Sequence, residues 1–382
     1  MDAQWPTIPD EVLEKILVWL SLRNLHHACV ICKKWKAIIL SPGFQNLWIL
    51  TQRSKDLYFP FCVAVKGYKT CKAYSISSQQ WHSMPIVPLQ DLSITRLVVA
   101  GDGGLLCFMK SGFNGLMVWD PMLNVWKNLP CPENLVRCWQ TFAVHMVVDP
   151  STKHYKIIVA GKTFHYQESD HGKRTMYDSS IGAWAFTSKI NASIEVEDDV
   201  THRSIFCDGI IYWLAHILPI DARTPFVVLK YDVANAMWRD DILMLPNLTL
   251  SNNVRIVATP NIVFLKSNLC VVVQKCVYGE KIHDRVVDIF EFKEIGNDWV
   301  KITKEPYHRS DDWWKCSTTN CVAHEKCIYI SFFHQLVVYN ASQQSWEELT
   351  RFPFSFDSEE YVDAGVCYEP KLNSILRLFF NF

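Results

Sequence analysis

Beyond residue 70 the chain repeats itself. A strand-like run ends in an aromatic or acidic residue, a turn follows, and a tryptophan comes next. Tyr74 leads in this way to Trp81, Trp119 to Trp126, Tyr177 to Trp184, Tyr231 to Trp238, Phe292 to Trp299 and Tyr339 to Trp346. Successive tryptophans are 45, 58, 54, 61 and 47 residues apart, a period that points to repeated supersecondary units rather than one continuous sheet.

Upstream of most units lies another short run rich in β-branched and aromatic residues. Gly103-Gly104-Leu105-Leu106-Cys107-Phe108, Asp208-Gly209-Ile210-Ile211-Tyr212-Trp213 and Asn268-Leu269-Cys270-Val271-Val272 are examples, each opening on turn residues. Six units of this size fit an all-β propeller with six blades of four antiparallel strands. The recurring Trp then packs between neighbouring blades. The Asp or Asn that closes many of the runs forms the turn. Strand-like residues after the last Trp, near 367–370 and 375–379, are expected to complete the first blade and leave no open sheet edge.

The first fifty residues read differently. Pro9-Asp10-Glu11 looks like a helix start, because proline suits the first turn and acids face the positive end of the helix dipole. Val12, Leu13, Ile16, Leu17 and Leu20 follow at helical spacing. A second short helix carries Leu25, Ala28 and Cys29. A third carries Cys32, Trp35, Ile38 and Ile39, Ser41-Pro42-Gly43 stops it, and Phe44, Leu47 and Trp48 form a last apolar turn. Of residues 8–50, 25 of 43 are apolar, more than three short helices can hide from water by themselves. The excess predicts a partner surface.

These residues carry a resemblance. The string Ile8-Pro9-Asp10-Glu11-Val12-Leu13-Glu14-Lys15-Ile16-Leu17, then Leu20, Leu25, Cys32-Lys33-Lys34-Trp35, Phe44 and Leu47-Trp48, resembles the F-box over its whole length. Ile8-Pro9 stands where the family has Leu-Pro, and the family's Val before Cys32 is met by Ile31, or by Val30 with the segment one residue longer. With the repeats behind it, the chain resembles plant-type F-box proteins with kelch-like repeats, although the double glycine of a full kelch repeat stands only at Gly103-Gly104. The resemblance implies a helical F-box over residues 1–50, a linker over 51–58 and a propeller over 59–382. It further implies docking on a Skp-type adaptor, and through it on a cullin scaffold carrying the ubiquitin-transfer machinery. The chain would then be a non-catalytic receptor whose propeller selects protein substrates. The expected adaptor contacts are Ile8, Pro9, Leu13, Ile16, Leu17, Leu20 and Trp35, with Trp35 also able to hold the helices together.

Composition narrows the rivals. Lys plus Arg is 38 against 39 Asp plus Glu, so no global basic field draws the chain to nucleic acid or an anionic membrane. The apolar windows at 262–265 and 271–273 fall far short of the roughly 20 residues a bilayer span needs. The opening Met-Asp-Ala-Gln-Trp-Pro does not read as a secretory signal. The 14 Cys read as reduced thiols, which places the protein in cytosol or nucleus.

No Gly-rich phosphate loop, G-x-S-x-G elbow or H-E-x-x-H is present, and no cofactor or metal site is expected. Cys29 and Cys32 form a C-x-x-C pair, read as packing because it lies among helices. Cys316, Cys321, His324 and Cys327 cluster without the spacing of a zinc finger, and a strand would scatter them over two faces. Glu195, Glu197, Asp198 and Asp199 read as a solvated loop, with a docking patch for a basic partner as the alternative. Trp313 and Trp314, beside Asp311 and Asp312, are the candidate substrate contacts, since paired tryptophans among charges suit a binding hot spot. A propeller enzyme (an oxidase or a glycosidase) and an F-box scaffold that delivers no substrate are the alternative readings.

Overall fold

A computed structural model describes residues 8–20, 22–52, 58–65, 71–75, 79–84, 98–109, 115–120, 125–130, 139–149, 151–152, 154–163, 174–188, 194–196, 204–217, 226–246, 254–256, 259–278, 283–309, 320–332, 335–351 and 362–363. A few N-terminal helices precede an all-β propeller.

The helices number four rather than three: α1 (Asp10–Leu17), α2 (Leu22–Ile31), α3 (Lys33–Ile39) and α4 (Pro42–Gln52). The added helix has a simple cause. The Phe44 N–H donates to Ser41 Oγ at 3.2 Å, so Ser41 caps a new helix and Pro42 stands at its first position, where its missing N–H costs nothing. The residues expected only to stop α3 therefore also start α4. Leu13, Leu17, Val18, Leu25, Ala28, Ile39 and Phe44 form the buried centre of the bundle, and Leu20, Trp35 and Trp48 pack against it. Two ties close it. Lys34 reaches Asp10 at 2.6 Å, and the Trp48 indole donates to the Leu20 carbonyl at 3.2 Å.

The described strands form six antiparallel sheets, and the second to the sixth contact one another in chain order. Four have four strands and two have six, so the expectation of uniform four-stranded blades holds only in part. The register explains the exceptions. In the fourth sheet, Ile194–Val196 and Ser204–Cys207 both pair with Ile210–Ile217, so they are two halves of one interrupted strand. Met237–Trp238 and Leu243–Met244 likewise share Phe226–Asp232. The fifth sheet breaks its first and last strands in the same way. Pro260 and Pro306 fall at those breaks, where proline removes a ladder donor.

The core is a series of interfaces between consecutive sheets. Ile157 faces the second sheet while Ile158 faces the fourth. Trp213 packs on the third sheet while its neighbour Leu214 packs on the fifth. Cys270 and Val271 divide between the sixth and fourth sheets in the same manner. Both faces of each of these sheets are covered, so their middle strands read as nearly unbroken apolar runs.

The aromatic–Trp repeat is a register. Tyr74 lies opposite Trp81, Trp119 opposite Trp126, Tyr177 opposite Trp184, Tyr231 opposite Trp238, Phe292 opposite Trp299 and Tyr339 opposite Trp346. Each pair has ring centroids 4.8–5.3 Å apart. Three indoles also reach back to the preceding sheet. Trp184 donates to the Pro130 carbonyl at 2.5 Å, Trp299 to Met244 at 2.7 Å and Trp346 to Glu305 at 3.0 Å. The turn before the Trp obeys the expected chemistry: Asp178, Asp232 and Asn340 accept backbone N–H groups from Ser180, Asn235 and Ser342.

Closure uses both ends of the propeller sequence. Val362–Asp363 pairs with Ala64 and Val65 of Tyr58–Val65, making the outer partner of the first sheet. The expected closing strands near 367–370 and 375–379 lie outside the described residues.

The antiparallel order gives the ring two unlike faces. Turns joining first to second and third to fourth strands emerge on one face, and all other connections on the opposite one. The first kind are short: residues 103–104, 208–209, 266–267 and 325–326 are two-residue turns, and the described third-to-fourth turns at 179–182, 233–236, 294–297 and 341–344 have four. Tyr58–Val65 starts at this short-turn face, so the chain coming from the helices joins the ring there.

Candidate functional site

Helix α1 shows which of the expected contact residues are available. Pro9, at φ −55° and ψ 144°, precedes the helix, and its carbonyl accepts the N–H groups of Val12 and Leu13. Asp10 and Glu11 occupy the first turn, opposite the positive end of the dipole. The 3.6-residue period then splits the apolar residues into two faces. Leu13 and Leu17 retain only 3% and 1% of their surface, packed among the helices. Val12, Ile16 and Trp19 retain 47, 51 and 63%, and Ile8, just before the helix, 46%. Pro9 is exposed too.

Of the seven expected contacts, Ile8, Pro9 and Ile16 thus lie open to solvent. Leu13 and Leu17 belong to the interior of the bundle, and Leu20 and Trp35 pack partly against it. Val12 and Trp19 complete the exposed row, although the expected set did not contain them. Their signal was present in the sequence as Val12, Ile16 and Trp19 at i, i+4 and i+7. Lys34 holds the row's upper end in place, bonding both Asp10 and the Ile8 carbonyl. Ile31 and Leu47 are two further exposed apolar residues, on α2 and α4.

The other candidates gather into nothing comparable. Trp313, Trp314 and Cys316 lie outside the described residues, as do Glu197, Asp198 and Asp199. Glu195 falls in an edge strand of the fourth sheet. Cys321 and Cys327 sit on opposite faces of their hairpin. Ala323 lies opposite Ile328 and His324 opposite Cys327, and only Cys321 packs toward the fifth sheet. Among the described residues no group of three or more His, Cys, Asp or Glu side chains could hold a metal. No described helix is long and apolar enough to cross a membrane.

Ionisable groups inside the ring are used structurally. Asp288 is buried between Lys275 at 3.0 Å and Lys301 at 2.6 Å. Burial alone would raise its pKa, but the two ammonium groups outweigh it and hold the carboxyl below its usual range. Burial pushes the Cys270 thiol up to about 12, with Glu291 adding to the effect, so it is a packed, unreactive sulfur.

An exposed apolar row on a small capped bundle, followed by a ring of Trp-stapled sheets, defines a class of protein. Residues 5–46 match the F-box domain and residues 75–336 match the F-box associated beta propeller domain; the chain belongs to that family. Among its relatives, it is 22% identical over 360 residues to F-box only protein 6 of Arabidopsis thaliana, covering 91% of this chain and 70% of that one. It is also 22% identical over 400 residues to F-box/kelch-repeat protein At3g61590 of the same plant, covering 96% and 89%. A third Arabidopsis protein, F-box/kelch-repeat protein At5g43190, is 20% identical over 91% of this chain and 83% of its own length.

Proposed function

We propose that this chain is the substrate-receptor subunit of a Skp–cullin–F-box ubiquitin ligase, acting in cytosol or nucleus. The F-box, taken as residues 1–50 with a linker over 51–58, seats on the Skp-type adaptor, and the propeller over 59–382 holds the protein to be modified. The observation that carries the reading is the row Ile8, Val12, Ile16 and Trp19, exposed on a helix whose other side is already covered. Solvating such a row costs free energy that a complementary groove recovers, at roughly 25 cal/mol per Å² of apolar surface removed from water. The chain itself performs no chemistry in this reading. It raises the concentration of substrate lysines beside the transferring enzyme.

Two unlike faces support a division of labour. The helices join at the face of short turns, which contain no aromatic residue. Aromatic residues of the kind that anchors protein interfaces stand elsewhere in the sequence, at Tyr68, Phe113, Phe164, Tyr166, Trp313 and Trp314, all outside the described residues. Substrate selection is therefore assigned to the face away from the F-box, and the six sheets are taken as six blades of one ring.

The test is co-purification of a Skp-type adaptor with the full chain. Val12→Asp combined with Ile16→Asp is expected to abolish it while circular dichroism and the thermal transition stay near wild type. Retained adaptor binding in a folded double variant would overturn the assignment. Leu13→Asp with Leu17→Asp would be uninformative about contact, because it places two charges inside the bundle.

A further inference from the structure

The C-x-x-C pair at the α2–α3 junction is not absorbed by the receptor function. Cys32 stands between the helices with φ −153° and ψ 154°, and its Sγ accepts the Trp35 N–H at 3.3 Å. It is the side-chain cap of α3, a place more often filled by Ser, Thr, Asp or Asn. Cys29, in the last turn of α2, is half-buried against the same bundle that holds Trp35. Both thiols are free.

The spacing between them follows from backbone geometry. Residues 29–31 are helical, so the Cα atoms of Cys29 and Cys32 are separated by about 5 Å, the i to i+3 distance of an α-helix. Disulfides take Cα separations of about 4.4–6.8 Å. Cys32 is extended rather than helical, and its carbonyl accepts the Lys36 N–H at 3.1 Å as the first bond of α3, so the residue links the end of α2 to the start of α3.

We propose that Cys29 and Cys32 form a reversible redox latch that disables the F-box under peroxide. The steps balance. The Cys32 sulfur attacks one oxygen of hydrogen peroxide, the O–O bond breaks, and a sulfenic acid and water form. The Cys29 sulfur then attacks the Cys32 sulfur, the S–S bond forms, and the hydroxyl leaves with the Cys29 proton as a second water. Two thiols are oxidised to one disulfide, and one peroxide is reduced to two waters. The Cys32 sulfur must swing toward α2 to make this bond, so it releases the Trp35 N–H. The first turn of α3 then loses its cap, and the helix from which Lys34 holds the α1 row is loosened at its start. Dithiothreitol or a cellular dithiol reverses the step.

The consequence for adaptor binding rests on the function proposed above, so the test has one readout that does not. Full-length protein is treated with hydrogen peroxide and alkylated. Peptide mass analysis is expected to show Cys29 and Cys32 joined, and amide exchange at Trp35 is expected to accelerate at least tenfold. Adaptor affinity is expected to fall at least tenfold and to return with dithiothreitol. Cys32→Ser keeps a capping oxygen and should bind the adaptor with or without peroxide; Cys29→Ala should likewise be insensitive. A pair that stays reduced or passes to sulfinic acid overturns the latch. So does a disulfide that leaves Trp35 exchange unchanged. Adaptor binding absent from the reduced wild type, with the exchange result intact, would instead count against the receptor assignment alone.

Discussion

The helical segment and the ring are both dense in tryptophan, yet they treat it in opposite ways. In the ring every repeat Trp has an aromatic partner directly across the hairpin, and three also bond a carbonyl of the preceding sheet. Trp19, by contrast, keeps most of its surface in water. The ring pairs its repeat tryptophans within its own sequence. The bundle covers one side of α1 only, and the exposed side is the proposed adaptor contact.

The comparison breaks if ring and bundle cannot be perturbed separately. The largest expected effect is at Trp299, where Ala removes the Phe292 contact and the Met244 bond together. It should cost about 3–5 kcal/mol of ring stability, read by urea unfolding of the full chain. Trp299→Phe, which loses mainly the hydrogen bond, should cost only about 1 kcal/mol. Adaptor binding of the folded variants should be untouched, and its loss would mean that the two regions are one unit.

Gly103 offers a sharper and smaller probe of how the sheets seat. A Cβ there would lie 2.5 Å from Val148 Cβ in the next sheet, at a φ of +58°. Asp102 already braces this contact, accepting the Gly103 and Val148 N–H groups at 2.8 and 2.7 Å. Gly103→Ala should lower stability by about 1–3 kcal/mol from overpacking, on top of backbone strain. Gly209→Ala, also at positive φ but with nothing within 4 Å, should show the strain alone, about 1–2 kcal/mol. Equal losses at the two sites would show that Gly103 serves only its turn.

The smallest effect is in the turns. The Asn235 backbone N–H, then its side chain and Arg239, hold the Asp232 carboxyl below its usual range. A depressed folded value means that the turn's contribution is present above about pH 4 and is lost as pH falls through the folded value. Asp232→Asn should therefore lower stability slightly at neutral pH, flatten the acid limb of the stability curve below about pH 4, and leave the lowest pH nearly unchanged. An unaltered acid limb would remove this turn from the account.

The sequence made the ring legible because its signal is local. An aromatic, a four-residue turn and a Trp recur with the same spacing, and hairpin register follows from that. The interrupted strands were hidden because Pro260, Pro306 and the stretch 197–203 resemble ordinary loops. The fourth helix was hidden because Pro42-Gly43 reads as a breaker until Ser41 is seen to cap. On α1 the apolar residues were evident, but their faces were not. Val12 and Leu13 differ by only 100° of rotation, and only the positions of α3 and α4 decide that Leu13 turns inward.

The strand Val362–Asp363 gives the ring a property of timing. During translation the helices leave the ribosome first, whereas the earliest sheet waits for a partner synthesised some three hundred residues later. A message truncated before codon 362 would yield the whole bundle with the edge at Ala64 and Val65 unpaired, an aggregation-prone strand. Selection on such a gene should thus weigh against late stop codons more heavily than the two residues involved would suggest.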